Sequence, residues 1–118
     1  MEMRPRVQGD ANFNVRILEG LVRREPAIDV LDARHTLTFR VPDPEILSMA
    51  ARAGRILLTH DRTTMAGHFD RFIVDNESPG LMILSQDLNI GDAIEELLMI
   101  WACSAAEEWV NVRRFLPL

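Results

Sequence analysis

The sequence predicts a three-layer α/β/α domain with a mostly parallel central sheet of about five strands, and three observations carry that expectation. Short unbroken apolar runs such as Ile56–Leu58 and Leu81–Leu84 read as strands buried on both faces. Stretches with helical apolar spacing separate them, which implies right-handed crossovers and parallel pairing. At the carboxyl end of the Ile56–Leu58 run the polarity switches abruptly to Thr59-His60-Asp61-Arg62. That is the end of a strand where open α/β sheets place their ligands.

In chain order, Met3–Gln8 reads as a first strand, with Pro5 delaying its start. A polar turn, Gly9–Asn12, leads into a helix marked by Phe13, Ile17, Leu21 and Val22, with Asn12 as expected N-cap and Pro26 as terminator. Ile28–Leu31 reads as the second strand, and 33–41 as a loop whose Leu37 and Phe39 lean on the core. Asp43 is the expected N-cap of the next helix, with Pro44 at its first position and Gly54 closing it. After the central strand, Met65, Phe69, Phe72 and Ile73 mark a third helix. Leu81–Leu84 is the fourth strand, and Asn89 caps a fourth helix through Ile90, Ile94, Leu97, Leu98 and Trp101. Ser104 and Glu107 read as a capping box on a last short helix, and Val112–Leu116 as an edge strand. Asp10 and Asp61 are expected on neighbouring central strands.

With 118 residues, 47% hydrophobic and 26% charged, the chain suits one domain, 1–118, with a single core. No apolar run approaches a membrane span, and the N-terminus lacks the apolar core of a signal peptide, so a cytoplasmic protein is expected. Cys103 is the only cysteine, and His35, His60 and His68 are scattered, which argues against a disulfide or a structural zinc site. All thirteen basic residues are arginine, which removes Schiff-base chemistry and lysine phosphate loops. The net charge of −5 argues against broad coating of nucleic acid, though not against a local arginine-lined site.

The predicted topology gathers Asp10, Asp43, Glu45 and Asp61 along one rim. Carboxylates meeting there would suit Mg²⁺ or Mn²⁺, which take oxygen ligands and often only one or two carboxylates plus water and substrate phosphate. Each acid also has a structural role open to it. Asp43 and Asp61 can cap helices, Asp10 can serve its turn, and Glu45 suits a helix dipole. Arg16 and Arg62 lie near the same rim and could meet phosphate, whereas His60 is expected to pack. Met99 and Ile100 make the fourth helix apolar on more than one side, so a homodimer through Leu97–Trp101 is one expectation.

Asp10-Ala-Asn12-Phe13-Asn14, Pro42-Asp43-Pro44-Glu45 and Leu58-Thr59-His60-Asp61-Arg62 resemble the short bacterial PIN-like domains. The Pro79–Leu84 and Ala93–Leu98 segments fit the same pattern, so the resemblance covers most of the chain. It implies a metal-dependent ribonuclease of the toxin type, restrained by a cognate antitoxin-like protein. It further implies that Asp10, Asp43 and Asp61 are metal-site carboxylates, with Glu45 a weaker ligand, and that Thr59 orients water or a ligand. Asn12 stands where many relatives carry an acid. An amide oxygen ligates without charge, so a catalytically weakened module that binds RNA or a protein partner is the alternative. A phosphoacceptor receiver domain needs a lysine beside its aspartates, and this chain has none.

Overall fold

The computed structural model describes residues 3–32 and 41–118. Its elements alternate as β1 (Val7–Gly9), α1 (Val15–Arg24), β2 (Val30–Asp32), α2 (Asp43–Ala53), β3 (Ile56–Thr59), α3 (Thr64–Asp75), β4 (Leu81–Leu84) and α4 (Ile90–Cys103), followed by a 3₁₀ turn (Ala106–Trp109) and β5 (Arg113–Leu116). The five strands form one sheet in the order β2-β1-β3-β4-β5, and every pairing is parallel. β1 and β3 are neighbours, as expected, with Gly9 opposite Leu58. Residues 33–40 lie outside the described set, so the expectations for His35, Leu37 and Phe39 have no counterpart here.

Both faces of the sheet are covered, which is why its central strands are apolar without alternation. On one face Leu58, Met82, Leu84 and Leu116 pack with Ile17, Leu18 and Leu21 of α1 and Ile94, Leu97 and Ile100 of α4. On the other, Leu57, Leu81 and Ile83 pack with Ile46, Leu47 and Ala50 of α2 and Met65, Ala66 and Phe69 of α3.

Several boundaries differ from expectation for identifiable reasons. β1 starts at Val7, beyond Pro5, with the Arg6 carbonyl accepting from Ile56 N as the first bond to β3. β2 starts two residues later than predicted; Ile28 is buried from a turn in which its N–H donates to Glu25 O. The N-cap of α1 is Asn14, whose Oδ1 accepts from Arg16 N at 2.9 Å; Asn12 still lies in the preceding turn, where its backbone N–H donates to Asp10 Oδ1. The cap of α2 is Pro42, whose carbonyl accepts from Glu45 N and Ile46 N, which leaves Asp43 as the first helical residue with no capping bond. The last capping arrangement is shifted by one residue. Glu108 accepts from Ala105 N at 2.6 Å, while Ser104 Oγ donates to Ile100 O and accepts from Trp109 Nε1.

α4 buries Ala93, Ile94, Leu97 and Ile100 and packs Leu98 and Trp101 partly against the same cluster. Arg4 covers Trp101, its guanidinium 5.7 Å from the ring centroid and bonded to Ala102 O. Met99 is left 46% exposed as the large apolar side chain on the outer surface of that segment. Among the described residues no helix is long and apolar enough to cross a membrane.

Gly80 precedes β4 at φ +128°, and a Cβ there would lie 2.6 Å from the Trp109 carbonyl oxygen. Backbone, not a pliable side chain, is the obstacle. Gly80→Ala should therefore cost on the order of 1–3 kcal/mol in strain, read as a lower denaturant midpoint with an unchanged m-value.

Candidate functional site

The chain leaves β1 toward β2 on one side and returns to β3 on the other, so the strand order reverses between β1 and β3. Ligands of doubly wound sheets bind outside the carboxyl ends of the strands at such a point. Asp10 follows β1 there, and Thr59, His60 and Asp61 end and follow β3.

Asp10 is fixed by four bonds. Its N–H donates to Leu58 O at 3.0 Å, which extends the β1–β3 ladder by one rung, and its carbonyl accepts from Phe13 N at 3.1 Å. Its Oδ1 accepts from Asn12 N at 3.0 Å, and its Oδ2 accepts from the Thr59 hydroxyl at 2.6 Å. Gly9 permits this tight turn, because a Cβ there would stand 3.0 Å from Leu18 Cδ1 and 3.2 Å from Phe13 Cβ. Burial pushes the Asp10 carboxyl above the usual carboxylate range, the bonds from Thr59 and Asn12 and the nearby His60 ring oppose that rise, and the like charge of Asp43, the weakest of these influences, adds to it.

Thr59 is fully buried, and its hydroxyl donates to Asp10 while accepting from Asp61 N at 3.0 Å. It faces Asp10 and the turn after β3, so what it orients directly is a carboxylate. Asp61 Oδ1 accepts from Thr63 N and Thr64 N at 3.0 and 2.9 Å, and so stabilises the start of α3. Asp43 has no capping bond, and its half-buried position on the first turn of α2 puts its charge within reach of Asp10.

The remaining candidates spread outward. Glu45, Asn12 and Arg16 are exposed. Arg62 is also exposed and lies over the Phe115 ring, 6.0 Å from its centroid, toward β5. His60 packs as expected. Its ring stacks on Phe13 with centroids 4.5 Å apart, Nδ1 donates to Leu84 O at 3.0 Å, and Nε2 accepts from Asn14 N at 3.2 Å.

Asp32 was not singled out by sequence. It ends β2 opposite Gly9, one strand over from the turn that carries Asp10. Its position at the carboxyl end of a strand was the available signal, hidden by ending β2 one residue too early, at Leu31.

Among the described residues no three His, Cys, Asp or Glu side chains converge as a ready cation cage. The nearest approach to one is Asp10 with Asp43 close enough for its charge to be felt there, two carboxylates and therefore oxygen donors only. That set fits a hard divalent cation held by two carboxylates, with water and substrate completing the shell. It does not fit zinc held by nitrogen or sulfur.

No protein-family model, curated protein or solved structure matches this chain.

Proposed function

We propose that the protein is a metal-dependent ribonuclease of the PIN-like kind, hydrolysing RNA phosphodiesters with Mg²⁺ or Mn²⁺ held by Asp10 and Asp43. The observation that carries this reading is a half-buried carboxylate at the β1/β3 reversal, its rotamer fixed by the Thr59 hydroxyl and Asn12 N, with the charge of Asp43 nearby. Two like charges at a ligand-binding rim are costly unless a cation joins them. A bound ion would supply an activated water and charge for an in-line displacement at phosphorus.

The chain's own residues have distinct parts in this reading. Asp10 and Asp43 hold the ion, and Thr59 fixes the rotamer of Asp10. Asp61 keeps its second oxygen, Oδ2, for water or an outer ligand while Oδ1 caps α3. Arg16 and Arg62 offer phosphate contacts from the two sides of the rim, and exposed Glu45 and Asn12 stand further out. A restraining protein of the antitoxin kind belongs to the same proposal.

The second reading is a binding module without turnover, favoured by the lack of a third converging carboxylate among the described residues. One experiment separates the two. The purified protein is incubated with single-stranded RNA in Mn²⁺, Mg²⁺ or EDTA, beside an Asp10→Asn/Asp61→Asn double variant. Asp61→Asn keeps the capping oxygen, so folding is preserved. Cleavage that needs the ion and is lost in the double variant is the expected result. Absence of cleavage with either ion overturns the hydrolase reading, and cleavage that survives in the variant identifies a contaminant.

A further inference from the structure

Strand pairing aligns Thr59 with Ile83 and Ile83 with Phe115. Residues in register in a parallel sheet point the same way, so these three form one row across the rim. They share the α3 face, since Ile83 packs with Phe69, and Arg113, two residues before Phe115, is paired with Asp70 of α3. Neighbouring strands lie about 4.8 Å apart, which puts Phe115 about 10 Å from Thr59 along the row. Thr59 in turn touches Asp10.

Ile83 is buried and forms a floor, whereas Phe115 is 47% exposed on an edge strand. Arg62 stands over the Phe115 ring at the limit of cation–π reach and has no carboxylate partner among the described residues. A groove of about 230 Å³ opens here, lined by Arg62, Ile83, Ser85, Phe115, Leu116 and Pro117. It is smaller than the roughly 300–1,000 Å³ of a site for a drug-sized ligand. A base stacking on Phe115 would replace the guanidinium over the ring and free it to meet the adjoining phosphate, so the pair matches one base and its phosphate.

We infer that the groove between Arg62 and Phe115 binds one unpaired nucleotide of single-stranded RNA, with the base stacked on Phe115 and the phosphate met by Arg62. This names the substrate class for the carboxylate site proposed above and rests on that reading. Single strands are favoured because a base within a duplex has both faces covered, whereas an unpaired base offers one to an aromatic ring. The bound strand then runs along the row from Phe115 toward Asp10.

The test is fluorescence anisotropy of an end-labelled ten-nucleotide single-stranded RNA in EDTA, so that binding is read without cleavage. Phe115→Ala should weaken binding about tenfold, the order expected for one lost base–aromatic stack. Phe115→Trp should retain it. Arg62→Ala should weaken binding and flatten its salt dependence, and a duplex of the same sequence should bind less tightly than the single strand. Binding unchanged by Phe115→Ala overturns the inference, as does a duplex bound as tightly as the single strand. No affinity for RNA in the wild type also overturns it and turns the groove into a surface for a protein partner. Because Phe115 is half exposed, melting curves of the variants should stay close to wild type. Phe115-dependent binding without metal-dependent cleavage leaves this site standing and removes the hydrolase reading. Cleavage with a KM indifferent to Phe115→Ala does the reverse.

Discussion

Asp10→Asn should lower metal-dependent cleavage by two orders of magnitude or more while leaving the neutral-pH melting temperature unchanged or higher. Charge stabilisation by a metal is worth several kcal/mol, which is more than a hundredfold in rate, and a neutral amide at this position holds the ion poorly. Stability moves the other way because the wild-type carboxylate is partly desolvated, with the charge of Asp43 adding a little to the cost. An amide at this position keeps an oxygen for Asn12 N and has no charge to bury.

The sign with pH follows from linkage. A carboxyl whose folded pKa is raised binds its proton more tightly in the folded state. Its contribution to stability is therefore full below the unfolded value of 3.8 and is lost as pH rises through the raised folded value. The melting-temperature advantage of the variant should accordingly be small in acid and grow toward neutrality. Thermal melts between about pH 3.5 and pH 7 read this directly. A variant that is less stable than wild type at pH 7 would show that the bonds to Thr59 and Asn12 outweigh the burial.

Thr59→Val is the second change with a large expected effect. The side chains are nearly the same size, so the packing around a fully buried position is kept and only the hydroxyl is lost. Asp10 Oδ2 loses its donor and Asp61 N loses its acceptor in one step. Leaving buried polar groups unpaired costs roughly 1–3 kcal/mol, which for a domain of this size corresponds to roughly 4–12 °C in melting temperature. Activity should fall about 10–100-fold, the usual consequence of losing an outer partner of a metal ligand. Thr59→Ser is the control: it restores the hydroxyl without the methyl, and should recover cleavage further than it recovers stability. Equal loss of activity in Val and Ser variants would assign Thr59 to packing alone.

Much of the fold was legible because parallel strands buried on both faces leave a plain signature. Ile56–Leu58 and Leu81–Leu84 have no polar residue to blur their limits, and Asn89 is the single good cap before α4. The caps of α1 and α2 were misplaced for local reasons. Asn12 and Asn14 are equivalent as residue types, and only the extent of the turn closed by Asn12 N on Asp10 decides between them. Asp43 next to Pro44 has the grammar of a cap, yet the Pro42 carbonyl supplies the first bonds of the helix.

At the site, placement of Asp10, Thr59 and Asp61 followed from their position after strands. The bond between Thr59 and Asp10 did not, since it spans 49 residues and needs β1 beside β3. The row from Thr59 to Phe115 depends on the register of three strands, information that no local stretch of sequence contains.

The interior place of β1 also governs when the candidate site can form. β1 pairs with β2 across α1 on one side and with β3 across α1, β2 and α2 on the other, so neither edge of β1 is closed by a hairpin. Contacts between distant segments form slowly because loop closure precedes their reward. During synthesis the segment through Asp32 can emerge with β1 half paired, and the carboxyl of Asp10 then has no hydroxyl to hold it. Only when residues 56–59 leave the ribosome does the last rung form and the acid take its final orientation. Nascent chains shorter than this carry Asp10 without its geometry. Assembly of the site and completion of the sheet are thus one folding event.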